Sequence, residues 1–155
     1  IVAIAIIGII AVIATPPLLD WREKARFTGT LQSLTANLQR GKLSAVRDNA
    51  PCQVLLTING YTIFLDLSNP PNQQWDAGVD IMIKQEQWPE GYNIVFTSAE
   101  TNFTSFFFDG RGLVTFQDLA LLAPETDGRI TIHDTAGRTG FVRINMLGRI
   151  GQVYQ

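Results

Sequence analysis

Cysteine and histidine are almost absent from this sequence, because Cys52 and His133 are single occurrences among 155 residues. One thiol cannot form an intrachain disulfide, so the chain is not a disulfide-stabilised scaffold. A metal site built from thiolates or imidazoles needs several such side chains, and the composition excludes that class of site. We interpret Cys52 as a small buried hydrophobic residue rather than as a nucleophile. We predict no catalytic residue, no metal site and no cofactor.

Charge is absent from the first nineteen residues, and Asp20 is the first ionisable side chain. Fourteen apolar residues, IVAIAIIGIIAVIA, are followed by Thr15, Pro16 and Pro17. A membrane-spanning helix needs about 20 apolar residues, so the run is borderline for a membrane anchor. It is retained and continues into a helical pattern, unlike a signal peptide that is removed. The chain starts at Ile1 rather than at methionine, and we expect a longer apolar run in the cell.

Gly8, Pro16 and Pro17 are the weak points of this apolar segment. Proline removes a backbone hydrogen bond, and glycine lowers helix stability. We expect residues 8–17 to be helical in lipid, where backbone groups must pair internally. We also expect this stretch to be able to extend or unwind when its surroundings change.

The composition predicts one globular domain in addition to the apolar segment. Hydrophobic residues make up 46% and charged residues 17%, which is too apolar for a disordered chain. The net charge of −2 gives no general attraction to nucleic acid. Six basic and three acidic residues lie in 20–50, two and ten in 51–128, and four and one in 129–155. This asymmetry arises by chance on solvated surfaces, and it equally suits charge-complementary packing between copies.

Helical periodicity follows the two prolines. Apolar residues recur at a spacing that gives one buried stripe, and the sequence DNAP ends the pattern. The stripe consists of Phe27, Leu31, Leu34, Leu38 and Ala45. We predict a helix from about Leu18 to Asn49, which with the opening segment approaches fifty residues, or about 75 Å. That length exceeds one compact domain, so we expect about half of the helix to protrude and to bury its face elsewhere.

Short alternating segments predict β-strands from Cys52 onward. CQVLLTI and YTIFLDL are joined by Asn59 and Gly60, which predicts a hairpin with a type I′ turn. Further strands are predicted at VDIMIKQ, YNIVFTS, SFFF, LVTF, GRITIHD, TGFVRINM and IGQVYQ, while LALLAPETDG is ambiguous. We predict an α+β fold, in which a long protruding N-terminal helix precedes an antiparallel β-sandwich-like head. The expected parts are a hydrophobic helix at 1–19, an amphipathic helix packed on the head at 20–50, and the head at 51–155.

Four polar features of the head suggest chemistry, and each has a simpler structural explanation. His133 in TIHDTAG is typical of a hairpin edge rather than of a catalytic dyad. The DGRG sequence at 109–112 is typical of a β-turn in which glycine supplies a positive φ. Asp76 and Asp80 are candidate calcium ligands, but nothing around them resembles an EF-hand loop. Asn102 begins an NFT glycosylation sequon, which is occupied only where the transferase is present.

The opening sequence IVAIAIIGIIAVIATP resembles the start of type IV pilins and of the pseudopilins of type II secretion. Mature chains of this family begin Phe-Thr-Leu-Ile-Glu-Leu and continue through an apolar run with a glycine and then a proline. Gly8 and Pro16 match that glycine and proline in spacing. RGKLSAVRDNAPCQVLLT, FFFDGRG and GFVRINMLGRI are similar to the pseudopilin H and minor pilin T branch, in which a helix meets a β-sandwich head. The lack of paired C-terminal cysteines fits that branch.

The resemblance implies that further residues precede Ile1. We expect Phe-Thr-Leu-Ile-Glu-Leu before it, including the Glu that in the family pairs with the N-terminal amine of a neighbouring subunit during assembly. Sequencing of the mature N terminus that finds Ile1 as the true first residue would contradict this expectation.

The resemblance also raises the question of DNA binding. Some minor pilins of that branch are thought to bind DNA through a Gly-Arg-x-Arg stretch near the C terminus. Here Gly148 and Arg149 match the first half, and Gly151 replaces the second arginine. Arg138 and Arg143 lie nearby at a different spacing, and few stacking aromatics accompany them. Arg138, Arg143 and Arg149 are candidate DNA contacts, with an ordinary solvated strand face as the simpler interpretation.

Pattern and resemblance together predict a structural subunit of a type IV pilus-like filament. The chain is expected to be held in the inner membrane as a precursor, in contact with lipid and with an assembly platform. It is then expected to polymerise with other copies into a filament on the cell surface. The residues expected in the filament core are Ile1, Ile4, Ile7, Gly8, Ile10, Ile13, Pro16 and Pro17.

Three alternatives stay open at this point. The first is a pseudopilin of type II secretion, whose periplasmic filament pushes folded exoproteins outward. The second is a minor tip pilin that contributes to DNA uptake. The third is a monomeric binding module tethered by a signal-anchor helix.

Overall fold

The computed structural model describes residues 2–88, 95–96, 103–117, 127–134 and 136–154, with side chains from Asp20 onward except at residues 95, 96, 117, 127 and 154. One helix, α1 (Val2–Asp48), contains 47 residues and is therefore about 70 Å long. The helix continues through Pro16 and Pro17, although neither residue has an N–H to donate to the carbonyl four residues earlier. The opening segment and the amphipathic segment thus form a single helix, as the sequence predicted.

The end of α1 follows the DNAP sequence. Asp48 is the last helical residue, and Asn49 adopts a positive φ of 47°. Such a left-handed residue commonly terminates a helix because it turns the backbone away from the axis. The N–H of Ala50 donates to the carbonyl of Ala45 at 3.2 Å and satisfies one of the last carbonyls of the helix.

Nine strands follow the helix and form two antiparallel sheets. In chain order they are β1 (Cys52–Thr57), β2 (Gly60–Leu65), β3 (Ile81–Gln87), β4 (Val95–Phe96), β5 (Ser105–Phe108), β6 (Val114–Gln117), β7 (Asp127–His133), β8 (Thr139–Asn145) and β9 (Ile150–Tyr154) within the described residues. One sheet has the order β3-β2-β1-β5-β6 and the other the order β4-β7-β8-β9. The predicted α+β class is confirmed.

The first hairpin forms as predicted, but its turn is not of type I′. Thr57 pairs directly with Gly60, so the two-residue loop is Ile58 and Asn59. Neither of these two loop residues has the positive φ that a type I′ turn requires at both central positions. Gly60 is instead needed for close packing, because a Cβ there would lie 2.1 Å from the carbonyl oxygen of Glu86 on β3. The Asn-Gly pattern therefore located the hairpin and misidentified the role of its glycine.

The glycine-rich turn between β5 and β6 matches its prediction. Gly112 has a φ of 76°, and Oδ1 of Asp109 accepts the N–H groups of Arg111 and Leu113, each at 2.9 Å. Burial works against the charged form of Asp109, but hydrogen bonds from Arg111 and from these N–H groups hold the pKa of its carboxyl below the usual value. DGRG is thus a turn that its own aspartate stabilises.

Two of the segments assigned from the sequence lie partly outside the described residues. Of the strand predicted at YNIVFTS, only Val95 and Phe96 are described, and they pair with β7. The ambiguous stretch LALLAPETDG is described only from Asp127, where β7 begins.

The core forms between α1 and the two sheets. The predicted stripe of α1 is fully buried and packs against β1 and β2 on one side and β8 and β9 on the other. Gly41 lies in this interface, where a Cβ would be 2.9 Å from Cγ2 of Ile63 and 3.2 Å from Sγ of Cys52. Glycine at position 41 therefore allows the helix to approach the sheet more closely than any residue with a Cβ would.

Candidate assembly surfaces

The N-terminal part of α1 contains most of the residues expected in a filament core. The backbone of Ile4, Ile7, Gly8, Ile10, Ile13, Pro16 and Pro17 is helical, whereas Ile1 lies outside the described residues. A search of the described residues finds no helix both long enough and apolar enough to cross a membrane.

The helix meets the head at Phe27. Residues 20–26 are all exposed, whereas Phe27 is the first buried residue of the stripe. We call residues 2–26 of α1 the stem, and the remainder of the chain the head. The boundary is sharp because the apolar stripe starts directly after the charged sequence DWREKAR.

Arg138 joins the stem to the head. It ends the turn between β7 and β8, and its guanidinium contacts three carboxylates. Nε donates to Asp134 in the same turn, while Nη1 and Nη2 lie 3.3 Å and 3.1 Å from carboxylate oxygens of Asp20 and Glu23 on the stem. The planar guanidinium can serve three partners at once, which a lysine ammonium does less well.

The electrostatics of this group fit a structural role. The side chain of Arg138 is 21% exposed and that of Asp134 is 5% exposed. The hydrogen bond that Arg138 donates to Asp134 raises the pKa of Arg138, burial lowers it, and the carboxylates of the stem raise it further. A cleft of about 620 Å³ opens beside the contact, between residues 20–28 and residues 136–139. We call Arg138 with its three carboxylates the stem clamp.

A second polar cluster fixes the helix to the edge of the five-stranded sheet. Oε2 of Glu86 on β3 accepts the hydroxyl of Tyr61 at 2.8 Å and the amide of Asn37 at 3.2 Å. The hydroxyl of Ser33 lies 3.3 Å from the same oxygen. Burial raises the pKa of Tyr61 above its ordinary value, and the nearby carboxylate of Glu86 adds to that effect.

The three candidate DNA-contact arginines do not form one cluster. Arg138 and Arg149 lie in the turns at opposite ends of β8, which are about 20 Å apart at 3.4 Å per residue. Arg143 is exposed on β8 opposite Arg129 of β7, and Arg149 is exposed with its N–H bonded to the side chain of Asn145. Their role as DNA contacts stays a prediction.

The candidate calcium ligands hold the loop between β2 and β3, Asp80 through backbone N–H groups and Asp76 through the hydroxyl of Ser68 and the amide of Asn72. Oδ1 and Oδ2 of Asp80 accept the N–H groups of Leu67 and Asp76 at 2.9 Å and 2.8 Å. Asp66 similarly accepts N–H groups from Ser68 and Gln73. Within the described residues, no group of three or more potential ligands is arranged to hold a metal ion.

The remaining candidates have local partners or lie outside the description. Nδ1 of His133 lies 2.9 Å from the hydroxyl of Thr139 on the neighbouring strand. Cys52 is fully buried, and burial raises the pKa of its thiol to about 12, which keeps it protonated and unreactive at neutral pH. Asn102 lies outside the described residues, so its glycosylation stays a prediction.

Two features were not predicted from the sequence. The stem clamp joins Arg138 to Asp20 and Glu23, and only the spacing of Asp134 and Arg138 hinted at an ion pair. The apolar residues of the loop between β2 and β3 stay exposed, which the Asp-rich and Pro-rich loop sequence did not suggest.

Two solved structures share this fold. One is the minor pseudopilin EpsH of the type 2 secretion system of Vibrio cholerae, with a TM-score of 0.56 and 16% identity over 82% of this chain and 95% of that chain. The other is the type IV minor pilin FimU of Pseudomonas aeruginosa, with a TM-score of 0.56 and 16% identity over 86% and 92% of the two chains. At this identity, the likeness establishes the fold.

The family assignment rests on a separate comparison. A search of curated proteins finds no match. A family model described as "Type II transport protein GspH" matches residues 30–148, which include the buried half of α1 and most of the head. This match covers well over half of the residues of the chain, and the chain therefore belongs to the GspH family of type II transport proteins.

Proposed function

We propose that this chain is a structural subunit of a type IV pilus-like filament, held in the inner membrane before assembly and polymerised through its N-terminal helix. The observation that carries the proposal is the division of α1. Among the described side chains of α1, residues 20–26 are exposed and burial by the head starts at Phe27, whereas the charge-free residues 1–19 have the composition of a buried surface. Membership of the GspH family and the fold shared with a pseudopilin and a minor pilin support the same conclusion.

The apolar segment must stay out of water throughout assembly in this proposal. Exposing fourteen apolar residues to water would cost on the order of 10–20 kcal/mol per subunit, so other copies must cover the segment once it leaves lipid. Lipid surrounds the segment before assembly, and other copies surround it afterwards. The filament core then contains Ile1, Ile4, Ile7, Gly8, Ile10, Ile13, Pro16 and Pro17, and the parts 1–19, 20–50 and 51–155 serve as core, connector and outer surface.

A pair of isoleucine variants tests the proposal. Ile10→Asp places a charge in the segment that must be buried, which costs several kcal/mol. Ile58→Asp places the same charge in the hairpin turn, where the native side chain is 70% exposed. We expect Ile58→Asp to enter shear-released filaments as the wild type does, and Ile10→Asp to be absent from them. Equal incorporation of both variants would overturn the proposal, provided that immunoblots find both chains in the membrane fraction.

A pseudopilin of type II secretion is the second candidate, favoured by the family description and by the likeness to EpsH. Deletion of the gene distinguishes the two. Loss of exoprotein secretion with intact surface pili supports the pseudopilin, and loss of pili with intact secretion supports the pilus subunit. A chain found only as a membrane-bound monomer in both assays would instead be a tethered binding module.

DNA uptake by a minor tip pilin has its own test. A gel shift with the full chain and its Arg149→Ala variant measures the contribution of Arg149. Retardation that falls on substitution and with rising salt supports phosphate contacts. Absence of retardation contradicts the DNA-binding alternative and leaves the filament proposal intact.

A further inference from the structure

The loop between β2 and β3 presents an apolar surface to solvent. Residues 66–82, which we call the β2–β3 corner, include five apolar side chains that are each 36–52% exposed. They are Leu67, Trp75, Val79, Ile81 and Met82. A group of large apolar side chains on one corner of a head marks an interaction surface, because isolated monomers rarely leave such patches uncovered.

The corner is held in one conformation by its own aspartates. Asp66 binds the N–H groups of residues 68 and 73, and Asp80 binds those of residues 67 and 76. Trp75 packs edge-on against the buried ring of Phe64, with centroids 5.5 Å apart. A loop of fifteen residues without strands is usually functional. Because its backbone is already ordered, docking costs little conformational entropy.

The corner is also negatively charged. Residues 66–82 contain three aspartates and no lysine or arginine. Within the described residues, no cationic side chain pairs with Asp66, Asp76 or Asp80, since all of their recorded partners are N–H or hydroxyl donors. Asp66 and Asp80 are buried and Asp76 is half-buried, so Asp76 is the carboxylate that a partner can reach. A complementary surface is therefore apolar, with a basic residue opposite Asp76.

The same chain carries such a surface at the end of α1. Residues 39–47 and 146–150, which we call the helix shoulder, contain four basic residues and no acidic residue, although Arg47 pairs with the adjacent Asp48. Four apolar side chains are 44–68% exposed there, namely Leu43, Val46, Met146 and Leu147. Beside them lies a depression of about 280 Å³, lined by Gln39, Lys42, Leu43, Gly148 and Ile150.

The two surfaces lie at opposite edges of the five-stranded sheet. The β2–β3 corner continues into β3, one edge strand. The helix shoulder adjoins β6, the other edge strand, where the N–H of Val114 donates to the carbonyl of Met146 at 3.0 Å. Four strand spacings of about 4.8 Å separate the edges by about 19 Å. One head can therefore be contacted at both surfaces simultaneously.

We infer that the β2–β3 corner of one copy docks on the helix shoulder of a second copy. Trp75 enters the depression beside Leu43, and Asp76, the corner aspartate that is not buried, faces Arg40 and Arg149, which are exposed on the shoulder. Two different complementary surfaces on one chain give a head-to-tail contact, which continues as an open helical array instead of closing into a dimer. The inference rests on the proposed filament function and names the surfaces through which adjacent heads meet.

Cysteine cross-linking in assembled filaments tests this contact. The full chain carrying both Val79→Cys and Leu147→Cys is expressed in cells that assemble filaments, and sheared filaments are oxidised with copper phenanthroline. We expect a ladder of dimers, trimers and higher species on a non-reducing gel. Cys52 can remain in place, since it is fully buried. The matched control pairs Leu147→Cys with Ile58→Cys, an apolar position away from the corner that is more exposed than Val79, and should give no ladder.

A charge reversal tests the electrostatic part of the contact. Adding Arg149→Glu to the cross-linking pair should reduce the ladder by about threefold or more, as expected when one charge of a complementary interface is reversed. An unchanged ladder would show that this arginine does not face the corner, and would overturn the inferred arrangement of charges.

The outcomes separate this inference from the proposed function. Filaments that contain the double-cysteine chain but yield no ladder overturn the inferred contact and leave the filament proposal intact. A chain that never enters filaments overturns the proposed function itself. Mass spectrometry identifies the cross-linked products. If this chain is joined to a different subunit, the inference that a second copy docks on the helix shoulder is wrong.

Discussion

Nη2 of Arg138 donates to Oε2 of Glu23 at 3.1 Å, across 115 positions of sequence. This contact connects the turn between β7 and β8 to the last exposed turns of the stem before the helix enters the core. Together with the bonds from Arg138 to Asp134 and Asp20, it fixes the direction in which the stem leaves the head. A filament subunit needs that direction to be defined, because the stem and the head pack against different neighbours.

Arg138→Ala should loosen the stem. The carboxylate of Asp134 is 5% exposed and would lose its cation, so we expect a loss of about 1–3 kcal/mol in the free energy of unfolding. The exposed pairs with Asp20 and Glu23 contribute less. Hydrogen exchange should accelerate in residues 20–28, and urea unfolding should report the global change.

Arg149→Ala is the matched control for that variant. Arg149 is an exposed arginine in a turn at the other end of β8, and its N–H bond to Asn145 survives the substitution. Its exchange rates in residues 20–28 should equal those of the wild type. Equal rates in Arg138→Ala would show that the stem clamp does not hold the stem.

Gly41→Ala should destabilise the protein although alanine is the better helix former. The new Cβ would lie 2.9 Å from the buried side chain of Ile63, which has no space to move aside. We expect a net loss of about 1–2 kcal/mol, because overpacking outweighs the gain in helix propensity. Thermal unfolding measures the change.

Gly29→Ala provides the comparison on the same helix. No atom lies within 4 Å of a Cβ at that position, so only helix propensity changes. The variant should be more stable by about 0.5–1 kcal/mol. If both variants were stabilised equally, Gly41 would not be required for the close approach of α1 to the sheet.

The thiol of Cys52 should react with a maleimide only after unfolding. Burial raises its pKa from 9.0 to about 12, so the folded protein holds the neutral thiol while the unfolded chain ionises near pH 9. Because the pKa of the thiol is higher in the folded state, its contribution to the free energy of unfolding is fully present below pH 9. That contribution is lost as the pH rises toward 12. Denaturant midpoints should therefore fall over this range.

Cys52→Ala checks the source of that alkaline loss. The variant should lose part of the decline between pH 9 and 12, and Tyr61, whose pKa is also raised by burial, accounts for part of the remainder. Rapid labelling of the native wild type at pH 8 would contradict the buried, protonated state of the thiol.

Asp66→Ala should release the loop between β2 and β3. The substitution removes both acceptors for the N–H groups of Ser68 and Gln73, and each bond to a charged acceptor contributes about 1–3 kcal/mol. Amide exchange at those two residues should rise strongly. Asp48→Ala, which removes a carboxylate from the solvated end of α1, should leave their exchange unchanged.

The elements of the fold could largely be predicted from the sequence. The stripe from Phe27 to Ala45 has the helical period, and the alternating runs from Cys52 onward have the strand period, so local geometry alone indicates which face is buried. The charge-free residues 1–19 indicated a segment that needs a nonaqueous environment. The turn at Asp109 could also be predicted from the sequence, since the carboxylate of Asp109 bonds to N–H groups within the same turn.

Only the tertiary structure decided which distant residues meet. The sequence does not show that Arg138 reaches Glu23, that Gly41 lies against Ile63, or that Gly60 allows β3 to approach instead of forming a type I′ turn. It also does not show that the β2–β3 corner and the helix shoulder occupy opposite edges of one sheet. The physical reason is that periodicity and turn chemistry act between neighbours along the chain. Strand order and the packing of the helix on the sheets are set by the whole core at once.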